Sequence, residues 1–294
     1  MTSYDSVRIS SLEGNHQLLD GGAMFGNAPR AVWEKWSAPD ARGRIALSCR
    51  SMLIEWNDKK ILCETGIGAY MEPTLAERYG VVEQEHVLLK SLHALGLDHT
   101  AIDAVILSHL HFDHAGGLLP SFAEGGVTRD LLFPRARYVV GQEAWQRALN
   151  PHPRDRASFI PGLAEKLMAS GRLQVISGTS LPDVPQDRLG FRFSSGHTPG
   201  QMHTWVRGEH DTIFFAGDLI PGRAWVHLPI TMGYDRFAEQ VIDEKAELYA
   251  EAVPGAWKMF FTHDPEVATA IVEKDAKGRF VCTDERSQLT RYAL

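Results

Sequence analysis

The chain alternates short apolar runs with polar turns. RIALSCRSMLIEW (44–56) is expected to supply one or two strands, NDKK a turn, and ILCET (61–65) the second arm of a hairpin. Residues 84–95 place Leu88, Leu92 and Leu95 at helical spacing, with Gly96 as a C-terminal cap. AIDAVILS (101–108), ARYVVG (136–141) and RLQVIS (172–177) are predicted strands, and QEAWQRAL (142–149) and PGLAEKLMASG (161–171) helices. FRFSS (191–195), HTWVRG (203–208) and DTIFFAG (211–217) follow as three successive strands. Residues 236–252 form an amphipathic helix with Phe237, Val241, Leu248 and Ala252 on one stripe. WKMFFTH (257–263) is predicted as a strand, EVATAIVEK (266–274) as a helix and GRFVCT (278–283) as a last strand. Strands come first, then strands mixed with helices, twice over. That order predicts an α+β chain with two mixed sheets packed together and helices outside.

Composition narrows the function classes. The hydrophobic fraction is 44% and the charged fraction 23%, as in ordinary soluble globular proteins. The net charge is −7 and no Lys/Arg stripe appears, which disfavours a nucleic-acid partner. The segment MTSYDSVRISSLEGN lacks the basic-then-apolar order of a secretory leader, and no apolar run approaches the roughly 18 residues of a membrane span. A cytoplasmic protein with no membrane partner is therefore expected. Cys49, Cys63 and Cys282 are odd in number, dispersed and never in a C-x-x-C pair. They fit small apolar residues in a reducing compartment better than a disulfide framework or a thiolate zinc site.

SHLHFDHAGG (108–117) changes the picture. His109, His111, Asp113 and His114 follow directly on an apolar strand. Two histidines two residues apart on extended backbone point to the same side. Asp113 and His114 come where the chain should enter a helix, and Gly116 and Gly117 are expected to let the backbone turn tightly behind them. Imidazole and carboxylate donors suit zinc, iron, manganese or cobalt. Isolated histidines such as His16, His86, His93, His99, His152 and His210 carry no such pattern. Three further candidates stand at strand ends: His197 in GHTPGQ, Asp218 in FFAGD and His263 in FFTHDP. Together with the first four they make a set large enough for two metals.

H-x-H-x-D-H, then G-H-T-P-G, then G-D, then a late His resembles the metallo-β-lactamase superfamily, over roughly residues 44 to 283. The resemblance implies an αββα sandwich of two mixed β-sheets flanked by helices, and a dinuclear site between the sheet edges. It implies that His109, His111 and His197 bind one metal, that Asp113, His114 and His263 bind the other, and that Asp218 bridges both. Glu64, in ETG, stands where many relatives have Asp-Thr-Gly near the site. A single domain over 1–294 is expected, with 1–43 as an N-terminal extension packing near the active site.

Two divalent ions about 3.5–4 Å apart hold a bridging hydroxide that is a nucleophile at neutral pH. Zinc is the first expectation, with manganese, iron and cobalt as alternatives. Asp113 could orient the nucleophile or carry a proton to the leaving group. The substrate must come from other residues. In LLDGGAMFGNAPRAVWEKW (18–36) an apolar Gly-rich loop carries Met24 and Phe25 at its tip, ahead of Trp33 and Trp36. It would wall the metals for an acyl chain or aromatic group, and its exposed aromatics are a candidate homodimer contact. This segment, and GDLIPGRAWVHLPITMGYD (217–235) with FFTHDP, resembles the lactonase and organophosphate-hydrolase branch. Gly222 and Trp225 stand where many relatives have a Thr and a His, which makes the pocket more apolar. His227 and Tyr234 are candidates to polarise a carbonyl. The expected activity is opening of a lactone such as an acyl-homoserine lactone, quenching a quorum signal. The alternatives are hydrolysis of an organophosphate, aryl ester or glyoxalase-II-like thioester, a mononuclear iron persulfide dioxygenase, and a non-catalytic binding protein.

Overall fold

In the computed structural model, which describes residues 7–181 and 184–294, the strand Ala104–Leu107 (AVIL) is buried at every position. The first six residues, part of the segment read for a secretory leader, lie outside the described residues. A strand with no polar side is expected where parallel neighbours flank it and both faces are covered. Its neighbours are Lys59–Cys63 and Arg137–Gly141, both parallel. They belong to the first of two compact units, built from Met1–Gln17, Ser48–Gly178 and Thr290–Ala293. Its seven-stranded sheet runs Tyr292–Ala293, Arg8–Leu12, Ser51–Trp56, Lys59–Cys63, Ala104–Leu107, Arg137–Gly141, Leu173–Ile176. The first three pairings are antiparallel and the last three parallel, so the sheet is mixed.

Parallel pairings need crossovers, and helices supply them. Val87–Ala94 precedes Ala104–Leu107, and Gln142–Leu149 and Leu163–Ala169 precede Leu173–Ile176. Leu88, Leu92, Trp145, Leu163 and Leu167 pack into one core with Leu53, Leu62, Val105 and Leu107 of the strands. Gly96 caps Val87–Ala94 as expected: its φ is +73°, and the next amide, Leu97 N, donates to Leu92 O at 3.0 Å.

The second unit takes Leu18–Leu47, Thr179–Leu289 and Leu294. Its six-stranded sheet runs Phe280–Arg286, Thr269–Lys274, Lys258–Phe260, Thr212–Phe215, Gln201–Arg207, Leu189–Ser194. Thr212–Phe215 and Lys258–Phe260 pair parallel, and helix Ala238–Ala252 lies in the crossover between them. Met24, Phe25, Trp33, Trp225, Leu248 and Tyr249 share this unit's core.

Three local expectations change. Residues 266–274 do not form a helix: Thr269–Lys274 is a strand, paired antiparallel with Lys258–Phe260 and Phe280–Arg286. Its β-branched Thr269, Ile271 and Val272 suit that pleated surface, and tertiary pairing outweighs the short helical period. Phe237 is 56% exposed, outside the buried stripe of its helix, while Lys245 is inside it. GGAMF is not a loop but a short helix, Gly21–Phe25, capped by Asp20 Oδ1 accepting from Ala23 N at 2.7 Å. Among the described residues no helix is long and apolar enough to cross a membrane.

His203, on Gln201–Arg207, is fully buried, with Nε2 2.7 Å from Ser194 Oγ. Burial, aided by the Arg192 charge, pushes its pKa down to about 3. The folded state therefore refuses a proton that the unfolded chain takes up near about pH 6.5. The neutral ring's contribution is present above that pH and is lost progressively as pH falls toward the folded value. The denaturant midpoint of metal-free protein, followed from about pH 7 to about pH 5, should fall less steeply in His203→Gln than in the wild type. Equal slopes would remove His203 from the acid response.

Candidate metal centre

In the first unit the ligand segment leaves the end of strand Ala104–Leu107. His111 (φ −65°, ψ 155°) is the N-cap of helix Phe112–Ala115. The rings of His109 and His111 lie 4.3 Å apart between centroids, and those of His109 and His114 4.1 Å. All three histidines are buried. Asp113 stands in the first helical turn, its Oδ1 3.8 Å from His114 Nε2.

One carboxylate orients two of these rings. Glu64 is 1% exposed, and its Oε2 lies 2.8 Å from His114 Nδ1. Ser108 Oγ donates to Glu64 Oε1 and stands 2.8 Å from His109 Nδ1. A carboxylate is an acceptor only, so the His114 hydrogen sits on Nδ1. Ser108 spends its one hydrogen on Glu64 and so accepts from His109 Nδ1–H. Both imidazoles are thereby left with Nε2 lone pairs. Glu64, His109 and His114 each offer an atom within 4.8 Å of the others.

The backbone around Glu64 is shaped to this task. Cys63 pairs with Ile106 in parallel register, which brings the next residue of one strand beside the exit of the other. Glu64 adopts φ +62°, a left-handed conformation that is uncommon outside glycine. Thr65 N and Oγ1 both donate to His114 O, at 2.9 and 3.1 Å. Gly117 and Gly116 are required for close approach rather than for turning. Neither has a positive φ, but a Cβ on Gly117 would lie 2.0 Å from Thr65 O, and one on Gly116 2.2 Å from Ile67 O.

In the second unit the parallel pair Phe215↔Phe260 sets the geometry. Asp218 and His263 lie three residues beyond each partner, so both emerge at the same sheet edge. Asp218 Oδ1 is 3.2 Å from His263 Nε2, and its Oδ2 is 3.2 Å from His197 Nε2. One buried carboxylate therefore faces two imidazole nitrogens, one with each oxygen. His197 Nδ1 donates to Asp235 Oδ1 at 2.9 Å, and Asp235 Oδ2 accepts Met232 N at 2.7 Å. Asp235 is 5% exposed and plays for His197 the part Glu64 plays for His114.

The other predicted residues fall elsewhere. Met24, Phe25 and Trp225 are together, but in the core, at 2%, 0% and 3% exposure. The Phe25 ring stacks between Trp33 at 5.4 Å and Trp225 at 4.6 Å, and Trp225 Nε1 donates to Met24 O. A cleft of about 670 Å³ in this unit is lined by Trp36, Arg223, Trp225, His227, Asp264 and Cys282, among others. Arg223 bridges Asp264, Glu266 and Glu285, and these partners hold its guanidinium charged. Burial pushes the Cys282 thiol up to about 12, so it stays protonated near neutral pH. Tyr234 is 42% exposed and does not line the cleft. Ser108 and Asp235 escaped the sequence analysis. Asp235 directly follows the Tyr234 chosen there, and an acid ending a turn beside a His-bearing loop was the available signal.

The donors are imidazole and carboxylate with no thiolate, buried, and oriented by hydrogen bonds to their far nitrogens. That fits a borderline divalent cation such as zinc. A family model described as the metallo-beta-lactamase superfamily matches residues 44–263. The fold is similar to that of a probable metal-dependent hydrolase from Staphylococcus aureus, with TM-score 0.84 and 25% identity, covering 96% of this chain and 99% of that one. It is also similar to AidC, a dizinc quorum-quenching lactonase solved with a product, with TM-score 0.72 and 19% identity over 95% of each chain. An N-acyl homoserine lactonase from a Bacillus species is 24% identical over 170 residues, 53% of this chain and 57% of that protein. The chain spans little more than half the length of the first curated relatives it matches, 57%.

Glu64→Gln keeps the side-chain volume but cannot accept on both sides. It should weaken metal binding about 10–100-fold, measured by competition with a chromogenic chelator. Wild-type affinity in the variant would show that Glu64 does not orient the ligands.

Proposed function

The chain belongs to the metallo-β-lactamase superfamily, and from that membership and the ligand geometry we propose that it is a dinuclear metallohydrolase that opens lactones of the acyl-homoserine class. The observation that carries the dinuclear reading is Asp218, whose two oxygens each face a different imidazole at 3.2 Å. A carboxylate so placed is suited to bridge two cations. In this reading His109, His111 and His197 hold one ion, and Asp113, His114 and His263 the other. Zinc is the proposed metal. The lactone follows from similarity to N-acyl homoserine lactonases, with other esters as a secondary activity.

When bound, the ion pair supplies Lewis acidity and makes water acidic enough to be a nucleophile near neutral pH. The protein's own groups do the rest. Glu64, through Ser108 and directly, keeps His109 and His114 from rotating, and Asp235 does the same for His197. Asp113, less enclosed than its neighbours, holds the proton taken from the attacking water and returns it to the leaving alkoxide. One water is consumed, the ring C–O bond breaks, and a hydroxy acid results. The cleft beside Trp36 and His227 takes the acyl group. Its walls include Arg223, Ala224, Trp225 and His227, a few residues after Asp218, and Asp264, Pro265 and Glu266, directly after His263. In this reading the extension 1–43 contributes Trp36 to that wall, and His227 is the group placed to polarise the carbonyl.

Metal-loaded protein should contain two ions per chain and release acid from a panel of acyl-homoserine lactones, and chelator should abolish the turnover. Asp218→Asn should lose both ions and reduce activity by more than the roughly 10–100-fold typical of removing an outer partner. Turnover confined to phosphotriesters, aryl esters or acylglutathiones would replace the substrate. A single iron with oxygen uptake would replace the hydrolase itself.

A further inference from the structure

Lys245 is a buried amine, 0% exposed, on helix Ala238–Ala252 among Val241, Leu248 and Tyr249. A buried ammonium is costly unless each N–H is paired. Its Nζ donates to the carbonyls of Ile230 at 2.8 Å, Trp225 at 2.9 Å and His227 at 3.1 Å. That uses all three of its hydrogens. One turn along the helix, the Tyr249 hydroxyl donates to Val226 O at 2.8 Å. Two side chains of one helix therefore hold four carbonyls of a single stretch, 225–230.

That stretch is otherwise sparsely organised: a 3₁₀ turn, Arg223–Val226, then irregular chain with Ile230 N donating to His227 O at 3.0 Å. Both of its ends are tied to ligand loops. Before it, Pro221 O accepts His263 N at 2.9 Å, three residues beyond Asp218. After it, Asp235 accepts Met232 N with one oxygen and His197 Nδ1–H with the other.

We propose that Lys245 is a positioning residue for the metal centre: by fixing the carbonyls of 225, 227 and 230 it sets the place of Asp235 and so the direction of the His197 Nε2. The inference rests on His197 being a metal ligand. The residue type follows from the task. Methionine has similar length and would fill the core, but would leave three buried carbonyls without a donor. Arginine's planar fork cannot converge from one point on three carbonyls, whereas an ammonium is a compact charge with three rotatable donors.

The test compares Lys245→Met, Tyr249→Phe and Leu248→Ala with the wild type. Leu248 is a fully buried neighbour on the same helix and controls for simple loss of packing. Two readouts are independent of any substrate. The first is zinc affinity by chelator competition. The second is the downfield Nδ1–H resonance of His197 in ¹⁵N-histidine-labelled metal-free protein, assigned by its loss in His197→Gln. Lys245→Met should weaken zinc about tenfold or more and abolish or shift that resonance. Tyr249→Phe should do both to a smaller extent, and Leu248→Ala should lower the Tm while leaving both unchanged. Wild-type affinity and resonance in Lys245→Met overturn the proposal, as does Leu248→Ala reproducing its losses. If Lys245→Met does not fold, Tyr249→Phe decides, and unchanged readouts in it overturn the proposal. A wild type that takes up no zinc overturns the metal reading instead, and the His197 resonance still tests the role of Lys245.

Discussion

An imidazole can serve a cation from a protein interior only if its other nitrogen is already paired. Unpaired, that nitrogen would be a buried polar atom without a partner and the ring would be free to turn. Each unit meets this constraint with one buried carboxylate. Glu64 holds His114 directly and His109 through Ser108, and Asp235 holds His197. The rest of both folds can be understood as the means of delivering these two acids. Glu64 is reached by a strand paired in parallel with the ligand strand and by a left-handed residue at its end. Asp235 is reached by a long irregular stretch held from beneath by Lys245 and Tyr249.

The proposed ligands themselves arise from strand ends. A sheet edge is a rigid place from which short loops can project side chains with little freedom. Asp218 and His263 show how economical this is, since equal offsets from one parallel pair bring them face to face. The same rigidity explains the glycines after His114. Gly116 and Gly117 press against the carbonyls of Ile67 and Thr65, so any side chain there would displace the backbone that carries Glu64.

Most of the fold was legible because its signals are local. Apolar runs of strand length, the Gly-capped helix Val87–Ala94 and the helix Gln142–Leu149 needed only periodicity and punctuation. Where the local signal was short, partners decided. Residues 266–274 carry a weak helical period, yet Asp264 turns the chain with bonds to the Glu266 and Val267 amides, and two neighbouring strands then claim Thr269–Lys274. The buried stripe of helix Ala238–Ala252 includes Lys245, a residue type seldom buried, and its three carbonyls make that position tolerable.

The sequence by itself determined the kind of chemistry: H-x-H-x-D-H with a later His, Asp and His restricts the donors to imidazole and carboxylate, because donor type belongs to the residue. The family resemblance drew attention to Glu64 as a residue near the site and to Trp225 as a pocket residue. Only the tertiary structure decided that Glu64 and Asp235 are the orienting acids, and that Phe25 is stacked between Trp33 and Trp225 with Met24 buried beside them. The reason is range. Ligand type and period are written within ten residues, whereas these contacts join positions 50, 38 and about 200 residues apart, and only the folded chain brings them within bonding distance.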